Sequence, residues 1–135
     1  MGRQNGLSLI EALIALVILA FGLIGVAAMQ VKALQSAIAG YTQSLANVAA
    51  VDAQERVWAA LSSYQDCDTI PLATIESAWL SHWFAGQSAT LGHTQGQESR
   101  IDRQDCQFDV VVRLRTGPNE PHDIFSYVFQ LPNQP

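Results

Sequence analysis

Gly6-Leu7-Ser8-Leu9-Ile10-Glu11 opens a stretch whose continuation, Ala12-Leu13-Ile14-Ala15-Leu16-Val17-Ile18-Leu19-Ala20-Phe21-Gly22-Leu23-Ile24-Gly25-Val26-Ala27-Ala28-Met29-Gln30-Val31, carries no charge over twenty residues. At a helical rise of about 1.5 Å per residue, such a run reaches about 30 Å, the hydrocarbon thickness of a bilayer. The segment reads as a membrane-spanning helix with one carboxylate, Glu11, near its start. An acid at membrane depth costs about 2.5–3.5 kcal/mol even on lenient insertion scales, so Glu11 needs a partner or a task.

Working outward from this run, the six residues Met1 to Gly6 form a brief polar leader, and the apolar run begins only after the glycine. The run also exceeds the apolar core of a secretory signal, about 7–15 residues, and is expected to stay in the mature protein. Arg3 before it favours a cytoplasmic N-terminus, although Lys32 on the far side leaves charge alone undecided. Gly22 and Gly25 either let neighbouring helices approach closely or reflect how common glycine is in membrane helices.

The remainder is a small domain. A net charge of -5 with no cluster of Lys or Arg argues against nucleic acid, whose binding rests on several basic phosphate contacts. A globular part of about 70 residues contributes only a few kcal/mol of net stability and gains from a staple. Cys67 and Cys106 lack CxxC spacing and are too few for a zinc site, so they are either one disulfide in an oxidising compartment or two unpaired thiols. Joined, they would close a loop of about 39 residues, for which the chain-entropy model gives about 4 kcal/mol.

Leu34, Ile38, Tyr41, Leu45 and Val48 recur at spacings of four and three, continued by Val51, Trp58 and Leu61. This stripe predicts one helix from about Leu7 to Ser63, ended by Asp66 and its loop, with the stripe laid on the small domain. Such a helix approaches about 85 Å, far beyond what a membrane needs. A second, short helix is expected from Pro71 to Phe84, with Trp79, Trp83 and Phe84 as either core or an exposed adhesive patch. Gly86 to Gln97 reads as a surface loop. Alternation over Cys106 to Thr116 and Ile124 to Leu131, across the turn Gly117-Pro118-Asn119-Glu120-Pro121, predicts an antiparallel hairpin, with a third strand around Ser99 to Arg103. The expected class is α+β: a long helix, half transmembrane and half amphipathic, packed on a small antiparallel sheet.

Gly6-Leu7-Ser8-Leu9-Ile10-Glu11 resembles the class III signal of type IV pilins and pseudopilins, a short leader ending in Gly with Glu five residues on. The resemblance implies that a prepilin peptidase cuts between Gly6 and Leu7 and methylates Leu7, where the family usually has Phe or Met. It implies that Glu11 pairs with the terminal amine of a neighbouring subunit. The implied organisation is a cleaved leader 1–6, a transmembrane and assembly half 7–31, and a periplasmic domain 32–135. The implied partners are prepilin peptidase, other minor pilins, the major pilin and the inner-membrane assembly platform. The first helix lacks the proline that major pilins usually carry. Phe21-Gly22-Leu23-Ile24-Gly25-Val26-Ala27-Ala28-Met29-Gln30 and Ala50-Val51-Asp52-Ala53-Gln54-Glu55-Arg56-Val57 resemble segments of PilV-type minor pilins. A minor pseudopilin of type II secretion is the alternative.

No catalytic set is expected. His82, His93 and His122 are scattered, and no GxxxxGK[ST], GxGxxG or HExxH pattern occurs, so no cofactor or metal is expected. Glu76, Asp102, Asp105 and Asp109 do not follow an EF-hand spacing and read as a solvated face. A membrane-tethered enzyme or ligand-binding module would need a reactive constellation in the outer domain, and it would have no use for Glu11.

Overall fold

Alanine and leucine dominate the first sixty residues and proline is absent from them, so nothing interrupts the helical hydrogen-bond ladder. In the computed structural model, which describes residues 8–64, 66–115, 119 and 121–132, a single helix α1 runs Ser8–Leu61. The helix stops two residues before the expected Ser63: the Ser63 amide donates to the Ala60 carbonyl at 2.9 Å, and the Ser62 hydroxyl to the Ala59 carbonyl at 2.7 Å. Gly6, Leu7, Thr116 and most of the turn from Gly117 to Pro121 lie outside the described residues.

The chain divides into two units, Met1–Gly40 and Tyr41–Pro135. In the first, every described side chain is exposed, and an 18-residue window of α1 reaches a mean hydropathy of 2.8. By length and composition this helix can cross a membrane. Lipid suits such a surface, because a helix satisfies its backbone bonds internally and needs only apolar neighbours.

In the second unit, the outer part of α1 packs with helix α2 (Leu72–Phe84) and a three-stranded antiparallel sheet: β1 (Arg100–Gln104), β2 (Gln107–Leu114) and β3 (Asp123–Gln130), in the order β1-β2-β3. The expected alternation holds except at Val111, which is buried on the other face: Phe108, Val110, Val112 and Leu114 of β2 are buried, with Phe129 and Leu131 closing the core beside them. The β2–β3 register pairs Phe108 with Phe129, and their rings stack with centroids 5.3 Å apart.

The face of α1 that meets this core is not the expected stripe. Thr42, Ala46, Ala49, Ala50, Ala53 and Val57 are buried, whereas Tyr41, Val48, Val51 and Trp58 are exposed and Leu45 and Leu61 only half-buried. Size is the difference, because small side chains on this face leave room for large ones from the neighbouring elements. Trp79 of α2 uses that room, donating its indole Nε1–H to the Ala49 carbonyl at 2.8 Å in the core. Burial of Trp79, Trp83 and Phe84 also decides between the two readings of the aromatic cluster: it is core, not an exposed patch.

Gly86 to Gln97 is more ordered than a surface loop. Two 3-10 turns, Gly92–Thr94 and Gly96–Glu98, fold back with Leu91, Thr94 and Gly96 buried. A Cβ on Gly96 would stand 2.2 Å from the Phe84 ring, and one on Gly92 would stand 1.8 Å from the Gly86 carbonyl oxygen, so only glycine allows this path.

Candidate functional site

Glu11 stands in the first turn of α1, where the positive end of the helix dipole favours a carboxylate. Its side chain is exposed and has no hydrogen-bond or ion-pair partner among the described residues. Gly6 and Leu7, the expected cleavage residues, lie outside the described residues.

Further along α1, most of the expected stripe stands open, with Leu45 and Leu61 partly packed against the core. Val31, Leu34, Ile38, Tyr41, Leu45 and Val48 are spaced three, four, three, four and three residues apart, the 3.5-residue period of a coiled-coil seam. Leu34 is 62% exposed, Ile38 52%, Tyr41 64% and Val48 53%. The next two positions of the period are Asp52 and Glu55, where the seam ends in charge.

Asp52 marks this end and anchors α2. Its Oδ2 accepts from Trp83 Nε1 at 2.8 Å and from Arg56 Nε at 2.7 Å. Asp52, Arg56 and Trp83 were each visible in the sequence, but not the bond between Asp52 and Trp83, which are 31 residues apart. A second tie missed in the sequence joins helix and sheet: the Tyr127 hydroxyl donates to Gln54 Oε1 at 2.6 Å.

The structure joins Cys67 to Cys106 in a disulfide of sequence separation 39, which settles the two readings of these cysteines. Arg103 of β1 secures the same corner, its Nη1 donating to the carbonyls of Cys67 (3.0 Å) and Ile70 (3.2 Å). The acidic residues expected as a solvated face each have structural roles. Glu76 accepts the Ile101 amide at 2.7 Å, Asp109 accepts the Ser126 hydroxyl at 2.6 Å, and Asp105 takes a positive φ of 53° between β1 and β2. Asp102 accepts a hydrogen bond from Arg100 and so raises the guanidinium pKa above its ordinary value. A raised basic pKa is felt only as pH climbs through that region, so this exposed pair adds no pH dependence in any working range. His82, His93 and His122 are exposed and not brought together; His82 lies edge-on to Trp83 at 5.5 Å.

Residues 1–27 match the family model described as the prokaryotic N-terminal methylation motif. No curated protein and no solved structure matches the chain. The motif covers Gly6, Leu7 and Glu11 and leads directly into α1, so the chain begins as pilin-like proteins do, and its long helix on a small antiparallel sheet has the pilin-like α+β layout.

Proposed function

We propose that this protein is a minor type IV pilin of the PilV type, which joins other minor pilins to initiate or modify pilus assembly. Prepilin peptidase removes residues 1–6 by cutting between Gly6 and Leu7, and methylates the Leu7 amine. Residues 7–31 hold the subunit in the inner membrane, with residues 32–135 in the periplasm, until the assembly platform moves it into the fibre beside the major pilin. The role is structural, not enzymatic.

The observation that carries this reading is the continuity of the methylation motif at residues 1–27 with a 54-residue helix, far longer than an anchor requires. The exposed Leu34, Ile38, Tyr41 and Val48 support the same conclusion, since a simple tether has no use for apolar spacing of coiled-coil type outside the lipid. Glu11 is the assembly charge. At 4 Å and an effective dielectric of 20, its attraction to a neighbour's terminal amine is worth about 4 kcal/mol before desolvation.

Mass spectrometry of the protein from its native membrane tests the processing. The expected product starts at a methylated Leu7, and an intact Met1 overturns the reading. Glu11→Ala should reduce recovery with the other subunits by tenfold or more while leaving cleavage intact. Deleting the gene separates pilus from secretion machine: loss of surface fibres with secretion preserved supports the minor pilin, and the reverse supports a pseudopilin of type II secretion.

A further inference from the structure

Within the second unit, another line of side chains passes through Tyr41 and Val48. Tyr41, Ser44, Val48, Val51, Glu55 and Trp58 are spaced three, four, three, four and three residues apart, the period by which one helix meets another. All six are exposed, and none belongs to the buried face of Ala46, Ala49, Ala53 and Val57. Glu55 is the one charge in this line. It has no hydrogen-bond or ion-pair partner among the described residues, and its neighbour Arg56 is held by Asp52.

The described residues of the first unit hold two charges, Glu11 and Lys32. Glu11 has its task at the start of the helix. Lys32 has none, and it is exposed with no partner among the described residues. It too stands in a line of the same period: Ile18, Phe21, Gly25, Ala28, Lys32 and Gln35 are spaced three, four, three, four and three residues apart, all exposed.

We propose that Glu55 of one copy pairs with Lys32 of a second copy across two parallel α1 helices shifted by 23 residues, the separation of the two charges in the sequence. The inference rests on the assembly reading above and gives one of its contacts a register. The charges alone set the shift, and the other positions then match. Val51 meets Ala28, Val48 meets Gly25 and Ser44 meets Phe21, so in three successive layers a larger side chain faces a small one and the helices can close. Tyr41 meets Ile18 at the apolar end, and Trp58 meets the Gln35 amide at the polar end. Other arrangements of two copies lose this match. Parallel helices in register set Glu55 against Glu55, a like-charge pair. Antiparallel helices joined by Glu55 and Lys32 set Tyr41 against Ala46, which is fully buried in its own domain. An antiparallel pairing of the Tyr41–Trp58 line with itself leaves both Glu55 carboxylates without a cation. The two surfaces differ, so the contact is heterologous, and each copy keeps one of them open for the next.

The test uses two differently tagged full-length copies in cells carrying their native pilin-like subunits, one with Gly25→Cys and the other with Val48→Cys. Cys67 and Cys106 take no part, being bonded to each other. Mild oxidation should join the two tags, while either cysteine variant with itself should give at most a tenth of that yield. Lys32→Glu or Glu55→Lys in both copies should lower the mixed dimer at least tenfold, the two reversals together should restore it to within twofold, and Glu55→Asp should preserve it. The thermal melt reports folding. Glu55→Lys, outside the apolar run, decides the matter with Glu55→Asp if Lys32→Glu fails to reach the membrane. A Val48→Cys dimer in place of the mixed one, a mixed dimer indifferent to Glu55→Lys, or a double reversal that reaches the membrane without restoring the dimer overturns the pair. So do adducts formed only with a different pilin-like subunit, and so does the lack of any dimer while Glu11-dependent co-recovery persists. Absence of co-recovery altogether overturns the assembly reading and this contact with it.

Discussion

Asp52 shows how one carboxylate can organise a fold from the middle of a helix. Its partner Arg56 lies one turn on, a surface pair of the kind worth about 0.3–0.5 kcal/mol. The indole of Trp83 is a different matter: it is buried, and its donor has Asp52 as acceptor. Asp52→Ala is therefore expected to destabilise the outer domain by about 1–3 kcal/mol, the cost of a buried donor left unmade. Asp52→Asn keeps an acceptor and should cost well under half as much. Urea midpoints of the full-length variants in detergent check both, and equal losses for Asn and Ala would place the stabilisation in the charge of Asp52 instead of in its bond to Trp83. Sequence marked Asp52 and Arg56 only as part of a segment resembling PilV-type minor pilins, and the tryptophan that gives the carboxylate its weight is on another element. The methylation-motif match over residues 1–27, in contrast, was legible from local sequence alone, because it is one short contiguous pattern.

At the scale of elements, α1 carries two faces with opposite assignments. The large apolar residues Tyr41 and Val48 are open, while Ala46, Ala49 and Ala53 are buried against α2 and the sheet. Periodicity weighs residues by hydrophobicity, so it found the louder stripe and gave it to the wrong neighbour; the fit of large side chains such as Trp79 over alanines is a property of two surfaces and not of one sequence. The same limit hid the 3-10 turns between Gly86 and Ser99, where no period exists and the path is set by glycines meeting Phe84 and the Gly86 carbonyl. The strands were legible because a half-buried strand writes its alternation directly into β2 and β3. A pair of variants separates the two faces of α1. Ala53→Leu should overpack the interior and cost about 1–3 kcal/mol, read as a lower melting temperature. Val48→Ser, on the exposed seam, should change stability by no more than about 0.5 kcal/mol. It should nevertheless reduce co-recovery with the other pilin-like subunits, and a normal yield would remove the seam from the assembly surface.

For the whole molecule, the two units draw on different sources of stability. Residues 8–40 of α1 satisfy their backbone bonds within the helix, so in detergent or lipid they remain helical whatever happens further along. The outer unit depends on a small core, and on the Cys67–Cys106 bridge that ties the start of the α2 segment to the sheet, with Arg103 holding the same loop by its carbonyls. Closing a span of this length is worth about 4 kcal/mol in the chain-entropy account. For a domain of this size each kcal/mol moves the melting temperature by about 4–8 °C, so reduction should lower it by about 15–30 °C. The signals should separate as well. Trp79 and Trp83 report the core, so near-ultraviolet dichroism should collapse at the lowered transition, while much of the far-ultraviolet helical signal persists from the first unit. Joint loss of both signals would make α1 a single cooperative helix whose first unit depends on the outer domain, and an unchanged melt on reduction would leave the bridge without a stabilising role.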